Sequence, residues 1–269
     1  MKNNVRSRIG IPYCVFMVLF VVLPVLIILY YAFTNGQGQF TLSNFKLFFT
    51  DSRTVLTLLY SLFIALITTA VCLLIAYPTA YILAKGGFPR RGTLLLLFIM
   101  PMWINFTLRI TALKEVLTLI ENNLAYYPTI NTVLGLTYDF LPFMILPIYN
   151  VIENIDDYYI EAARDLGSDS FSVFRKVILP LSVPGIISGV NMVLLPAMTN
   201  YVVLDMIYNS TYVMGSLIGS YFNVYDWNNG SMISVILLIL ILLFSLATGE
   251  FKSDEAEKKE GRRIPWARS

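Results

Sequence analysis

The 269-residue chain is predicted to be an all-α integral membrane protein with six transmembrane helices, and three features of its sequence predict this. Hydrophobic residues make up 57% of it and charged residues 13%, with a mean hydropathy of +0.69, a balance that suits lipid rather than water as the solvent of most of the fold. The apolar residues gather into six runs, at about 11–33, 55–84, 93–112, 131–151, 184–205 and 231–248. A hydrocarbon core of ~30 Å asks for roughly 20 apolar residues per helix, which each run approaches or exceeds. The basic residues collect at the ends of these runs instead of along one face, so the net charge of +2 points to no nucleic-acid partner.

The first run follows Lys2, Arg6 and Arg8 as a signal peptide would, but it is too long for the hydrophobic region of one and is expected to be a retained helix. With residues 1–10 in the cytoplasm, 15 of the 19 Lys and Arg residues fall on that side. Lys85, Arg90, Arg91, Arg164, Arg175, Lys176 and the six basic residues of the tail 249–269 are among them, and only Lys46, Arg53, Arg109 and Lys114 fall outside. This asymmetry obeys the positive-inside rule and places both termini and the loop 157–183, between runs four and five, in the cytoplasm. The domain plan is therefore a short cytoplasmic N-terminus, a transmembrane region 11–248 and a cytoplasmic tail, whose charge suits anionic lipid.

Pro24, Pro78, Pro101, Pro142, Pro147 and Pro196 lie inside the runs, where each frees a backbone carbonyl. Kinks around a pathway and merely tolerated kinks read alike in the sequence. Tyr126, Tyr127, Tyr221, Phe222, Tyr225 and Trp227 sit in outer loops, as an interfacial aromatic belt does.

Several chemistries are excluded. Without any histidine there is no Ser-His-Asp triad and no histidine metal site. Cys14 and Cys72 both lie in apolar runs and read as small hydrophobes. No G-x-x-x-x-G-K-[S/T] phosphate loop occurs, so the chain does not bind ATP by that route. An ion-coupled secondary transporter would need ionisable ligands near the midplane, where this chain has few; an intramembrane enzyme would need a dyad that is not evident.

The stretch EAARDLGSDSFSVFRKVILPLSVPG, residues 161–185, interrupts the apolar pattern. It reads as a short helix stopped by Gly167, a second helix capped by Ser168 or Asp169, and Pro180 and Pro184 turning the chain into run five. In the second helix Phe171, Phe174 and Val177 or Ile178 recur at spacings of three and four and form one apolar face. Two such helices suit a membrane surface. The order Glu161-Ala162-Ala163, three residues, Gly167, nine residues, then Val177-Ile178-Leu179-Pro180 resembles the EAA loop of binding-protein-dependent ABC importer permeases. Valine stands at 177 where that family favours isoleucine. AYPTAYILAK, LLLLFIMPMWINFTLRITALK, LPFMILPIYNVIENID and LPAMTNYVVLDMI are similar to the spermidine/putrescine permeases of the PotB type within that family.

The resemblance implies a type I importer permease fold of the MetI-like kind, with Glu161, Ala162, Ala163, Gly167, Leu179 and Pro180 in a coupling element that docks in a groove of the ATPase. It implies an ABC ATPase pair carrying the ATP and Mg, a second and different permease chain, and an extracytoplasmic binding protein; this chain itself has no cofactor. Sulfate, molybdate or ferric iron are the alternative solutes for such a loop. For a polyamine, Asp205 offers charge, and Trp103, Tyr138 and Tyr201 offer cation-π faces. As a helix cap and as belt residues they would read the same. Arg109 is expected to snorkel or to pair with a carboxylate.

Overall fold

The computed structural model describes residues 12–207 and 213–248. The basic N-terminus and the tail 249–269 lie outside them. Among the described residues there is no strand, only an isolated antiparallel bridge between Thr34 and Phe40. Five helices are long and apolar enough to span a membrane: α1 (Pro12–Ala32), α3 (Ser52–Lys85), α6 (Pro128–Glu153), α8 (Ser170–Thr199) and α11, which runs from Trp227 to Thr248. A bent pair, α4 (Arg91–Trp103) and α5 (Phe106–Glu121), supplies the sixth span if its halves count as one. Four shorter helices complete the described residues: α2 (Ser43–Thr50), α7 (Asp157–Asp165), α9 (Val202–Ile207) and α10 (Met214–Asn223).

The chain forms two compact units. One holds the described residues up to Leu58 together with Met214–Leu242; the other runs from Leu59 to Val213 and includes the residues from Leu243 onward.

In the first unit, α1 buries none of its most apolar window against the rest of the chain, as suits a helix whose solvent is lipid. At its end the Leu29 and Tyr31 carbonyls accept from the Phe33 and Thr34 amides and the Tyr30 carbonyl from Thr34 Oγ1. Two side-chain amides add to these: Asn44 Nδ2 donates to the Ala32 and Thr34 carbonyls at 3.3 and 3.0 Å, and Asn228 Nδ2 to those of Tyr31 and Thr34 at 3.0 and 2.7 Å. Beyond the cap the chain reverses through Asn35, whose Oδ1 accepts from the Gln37 and Gln39 amides, and Gly38 at φ +75°.

In the second unit the third apolar run departs from the continuous helix expected over 93–112. Pro101 lies in a 3₁₀ turn, Met100–Trp103, Ile104 is extended, and Asn105 begins a new helix, with Oδ1 accepting from the Thr107 and Leu108 amides. The two halves meet at 96°. Asn105 is a preferred N-cap, and this local signal outweighs hydrophobic continuity.

α6 and α8 make the most extensive helix contact in the unit. They approach closely because α8 offers Gly185 and Gly189, one turn apart: a Cβ on Gly185 would stand 2.9 Å from the Pro147 carbonyl oxygen, and one on Gly189 2.7 Å from Met144 Sδ. Gly135 of α6 gives the same freedom to α9, since a Cβ there would overlap the Ile207 side chain and lie 2.8 Å from Val203 Cγ1. Gly135→Val is expected to cost about 1–3 kcal/mol by overpacking, read as a lower thermal midpoint of the detergent-extracted protein. An unchanged midpoint would mean that α9 does not seat on this glycine.

α8 also departs from expectation. The second helix of the loop is not separate from span five but is the first part of α8, joined through a π turn at Phe174–Ile178 in which the Leu179 amide reaches the Phe174 carbonyl. Pro180, which has no N–H, enters where the π turn gives way to the α-helix, and Pro184 lies within the helix instead of turning the chain.

Candidate functional site

The loop between α6 and α8 is built from α7. Asp156 caps its start by accepting from the Tyr158 amide at 3.0 Å. Its end is a Schellman arrangement: the Gly167 amide donates to the Arg164 carbonyl at 2.8 Å, the Ser168 amide to the Ala163 carbonyl at 3.1 Å, and Gly167 sits at φ +82°. Only glycine takes that angle without strain. Asp169 stands at the start of α8.

α7 is amphipathic. Its underside buries Ile160 in a cluster with Ile155, Val173 and Ile178, against which Tyr81 and Ala163 pack. Its outer face shows Tyr158, Tyr159, Glu161, Arg164 and Leu166, the last 87% exposed. Phe171 joins them. The sequence pattern placed it on one apolar face with Phe174; in the structure Phe171 is exposed and Phe174 half-buried, while the π turn brings Val173 and Ile178, five residues apart, to the same buried face. Of the residues expected to act in coupling, Glu161 is exposed, Ala162 and Ala163 are half-buried, Gly167 makes the bend, and Leu179 and Pro180 stand at the π-to-α transition.

Lys85, the last residue of α3, fixes the start of α7. Its Nζ donates to the Ile155 carbonyl at 2.7 Å and to Asp157 Oδ1 at 2.6 Å. The hydrogen bond from Lys85, and then its charge, hold the Asp157 carboxyl below the usual carboxylate range. A cleft of about 290 Å³ opens beside this tie, lined by Tyr81, Lys85, Glu161, Arg164 and Ser170 among others.

A second constellation lies in the other part of the unit, where α5, α6 and α9 meet. Arg109 Nη2 donates to Asp139 Oδ1 at 2.6 Å, with both side chains buried at 6% and 7% exposure. Of the two roles open to Arg109 in the sequence, the structure assigns it the ion pair. The four residues proposed for a pathway are all exposed. Trp103, at 76%, ends the 3₁₀ turn at the α4–α5 bend. Tyr138 precedes Asp139 on α6. Tyr201 and Asp205 share one turn, the Asp205 amide bonding to the Tyr201 carbonyl, and α9 turns Val203, Leu204 and Ile207 inward while leaving Asp205 free of that face. Among the described residues the side chains of these four make no hydrogen bond or ring contact with one another. Sequence reasoning placed Asp157 and Tyr158 within the loop 157–183 without giving them a role, and missed Lys85 as part of the loop assembly. The i, i+4 spacing of Tyr77, Tyr81 and Lys85 at the end of α3 was the available signal.

Five long apolar helices, a bent pair that makes a possible sixth span, and an amphipathic loop pinned between α3 and α8 define a multi-pass helical membrane protein. Residues 73–249 match the family of binding-protein-dependent transport system inner membrane components, and the chain belongs to that family. It is 37% identical over 252 residues to the spermidine/putrescine transport system permease protein PotB of Escherichia coli strain K12, covering 86% of this chain and 91% of that one. The PotB protein of Haemophilus influenzae is 36% identical over 249 residues, covering 84% and 87%. Among solved structures, a bacterial ABC transporter that imports the acidic polysaccharide alginate aligns with a TM-score of 0.69 at 14% identity, over 98% of this chain and 97% of that one. An inward-facing form of the MetNI methionine ABC transporter aligns with a TM-score of 0.57 at 18% identity, over 73% and 93%. These two likenesses bear on the fold, which is that of an ABC importer permease.

Proposed function

We propose that this chain is a membrane subunit of an ATP-driven importer of polyamines, spermidine and putrescine, delivered by an extracytoplasmic binding protein. The observation that carries this reading is the likeness to PotB proteins, 37% identity over 252 residues that cover 91% of the Escherichia coli protein. The loop supplies the mechanism. The outer face of α7, with Tyr158 and Glu161, together with Leu166 at its end and Phe171 at the start of α8, docks on one subunit of an ABC ATPase pair, while the underside of α7 stays pinned to α3 and α8. The positive-inside asymmetry supports a cytoplasmic position for this face and for both termini. A second permease chain completes the pathway.

On the other side of the membrane, α9 presents Asp205 and Tyr201, and the bend between α4 and α5 presents Trp103. A carboxylate and aromatic faces give an ammonium transient, weak contacts, each cation-π contact contributing about 0.5–2 kcal/mol. The Arg109 charge does not repel the polycation, because Asp139 neutralises it.

The test is uptake of labelled spermidine and putrescine at low external concentration, in cells with and without this gene, with sulfate and ferric iron as controls and ATP depleted in parallel. Loss of polyamine uptake alone, sensitive to ATP and insensitive to the proton gradient, is expected. Unaffected polyamine uptake in a strain without a second polyamine importer would leave an importer of some other solute.

A further inference from the structure

Tyr77, Tyr81 and Lys85 recur every fourth residue at the end of α3 and line one stripe of that helix. Each holds a different part of the loop. Tyr77 Oη lies 2.8 Å from Ser182 Oγ in α8, and its ring meets Phe174 edge-on at a centroid distance of 5.8 Å. One turn on, Tyr81 meets the same Phe174 edge-on at 5.6 Å and packs on the apolar cluster beneath α7. At the tip, Lys85 holds the Ile155 carbonyl and the Asp157 carboxylate.

One contact would let α7 pivot about it. Three contacts on successive turns, spread over about 12 Å at 1.5 Å per residue, resist both tilt and slide, so that α7, the start of α8 and the end of α3 are constrained to move together. α3 carries such a movement away from the loop, since it runs unbroken for 34 residues.

We propose that the Tyr77–Tyr81–Lys85 stripe is the element that receives the stroke of the ATPase from α7 and passes it into the transmembrane helices. This rests on the docking reading of α7 given above and goes beyond it, naming the residues on the permease side of the joint. They act through α7 and are positioning residues. The tyrosines hold α8 through Phe174 and Ser182, and the lysine holds α7. Coupling is carried where packed elements have no freedom to slip.

The experiment uses the complete importer, with both permease chains, the ATPase pair and the binding protein, in liposomes. Labelled spermidine uptake and phosphate release are measured together. Lys85→Met keeps the aliphatic stem and removes the donors; Tyr81→Leu keeps bulk and removes the edge contact. Each is expected to raise the ATP hydrolysed per spermidine moved, on the order of 2- to 30-fold, with the ATPase still bound, and Lys85→Arg is expected to restore most of the parental ratio. A parental ratio in both Lys85→Met and Tyr81→Leu would overturn the proposal, and so would a fall of uptake and hydrolysis in proportion with reduced yield, the mark of a merely structural role. Glu161→Lys serves as the reference for docking. If it leaves ATPase binding and uptake untouched, the docking reading fails and takes the stripe with it; if it disrupts docking while both Lys85→Met and Tyr81→Leu keep the parental ratio, the stripe alone is refuted.

Discussion

Asp139→Leu is expected to remove most of the folded chain from the membrane. The substitution leaves the Arg109 guanidinium buried with its only hydrogen-bonded partner lost, since Nε and Nη1 already have no acceptor among the described residues. Breaking one side of such a pair costs about 3–5 kcal/mol, a large share of the roughly 5–15 kcal/mol by which folded domains are stable. Detergent-extracted protein should show a steeply lowered thermal midpoint and poor yield. The double variant Arg109→Leu/Asp139→Leu should recover most of the loss, because replacing both charges by apolar groups is often neutral or stabilising. A single variant as stable as the parent would mean that the pair holds nothing together. Uptake by the recovered double variant then tests whether the charges serve transport or only hold α5 to α6.

The second large effect is expected at the loop. Gly167→Pro conflicts with the structure twice: proline fixes φ near −65° where the backbone stands at +82°, and it removes the amide that donates to the Arg164 carbonyl. The local cost is about 3 kcal/mol or more, borne by the end of α7 rather than by the spans. The variant should therefore insert and accumulate normally, fail to retain the ATPase on co-purification, and lose at least about tenfold in uptake, the equivalent of 1.4 kcal/mol. Gly167→Ala, which has only the left-handed penalty of about 1–2 kcal/mol, should fall between. Normal uptake by a well-expressed Gly167→Pro variant would show that the shape of this bend does not matter for docking.

Much of this architecture is legible in the sequence because the bilayer simplifies the code. Apolar runs locate α1, α3, α6, α8 and α11 to within several residues at most ends, and the Glu161-Ala162-Ala163 to Gly167 spacing locates α7 and its stop. Hydropathy does not see hydrogen bonds, and that accounts for the misreadings. Asn105 looks like one polar residue in an oily run, yet its side chain caps two amides and turns a single predicted span into two helices at 96°. The π turn at Phe174–Ile178 has no compositional mark, yet its extra residue brings Val173 and Ile178 to one buried face, a pairing that a regular helical period does not show. The pairing of Arg109 with Asp139 across 30 residues is tertiary, so the sequence could offer the possible roles of Arg109 without choosing one. Trp103, Tyr138, Tyr201 and Asp205 are exposed and lie on or beside α4, α6 and α9, a separation that no local spacing in the sequence could have shown.

The two amides at the end of α1 also set a clock on biogenesis. α1 buries nothing of its apolar window in the chain, so its entry into the bilayer awaits no other helix. Asn44 is made soon after it, but Asn228 lies 194 residues beyond Thr34, and at about 5–20 residues per second its arrival is delayed by roughly 10–40 s. During that interval the carbonyl end of α1 is only partly clasped and must be held by water or lipid headgroups. A side chain of α11 thus closes the end of α1.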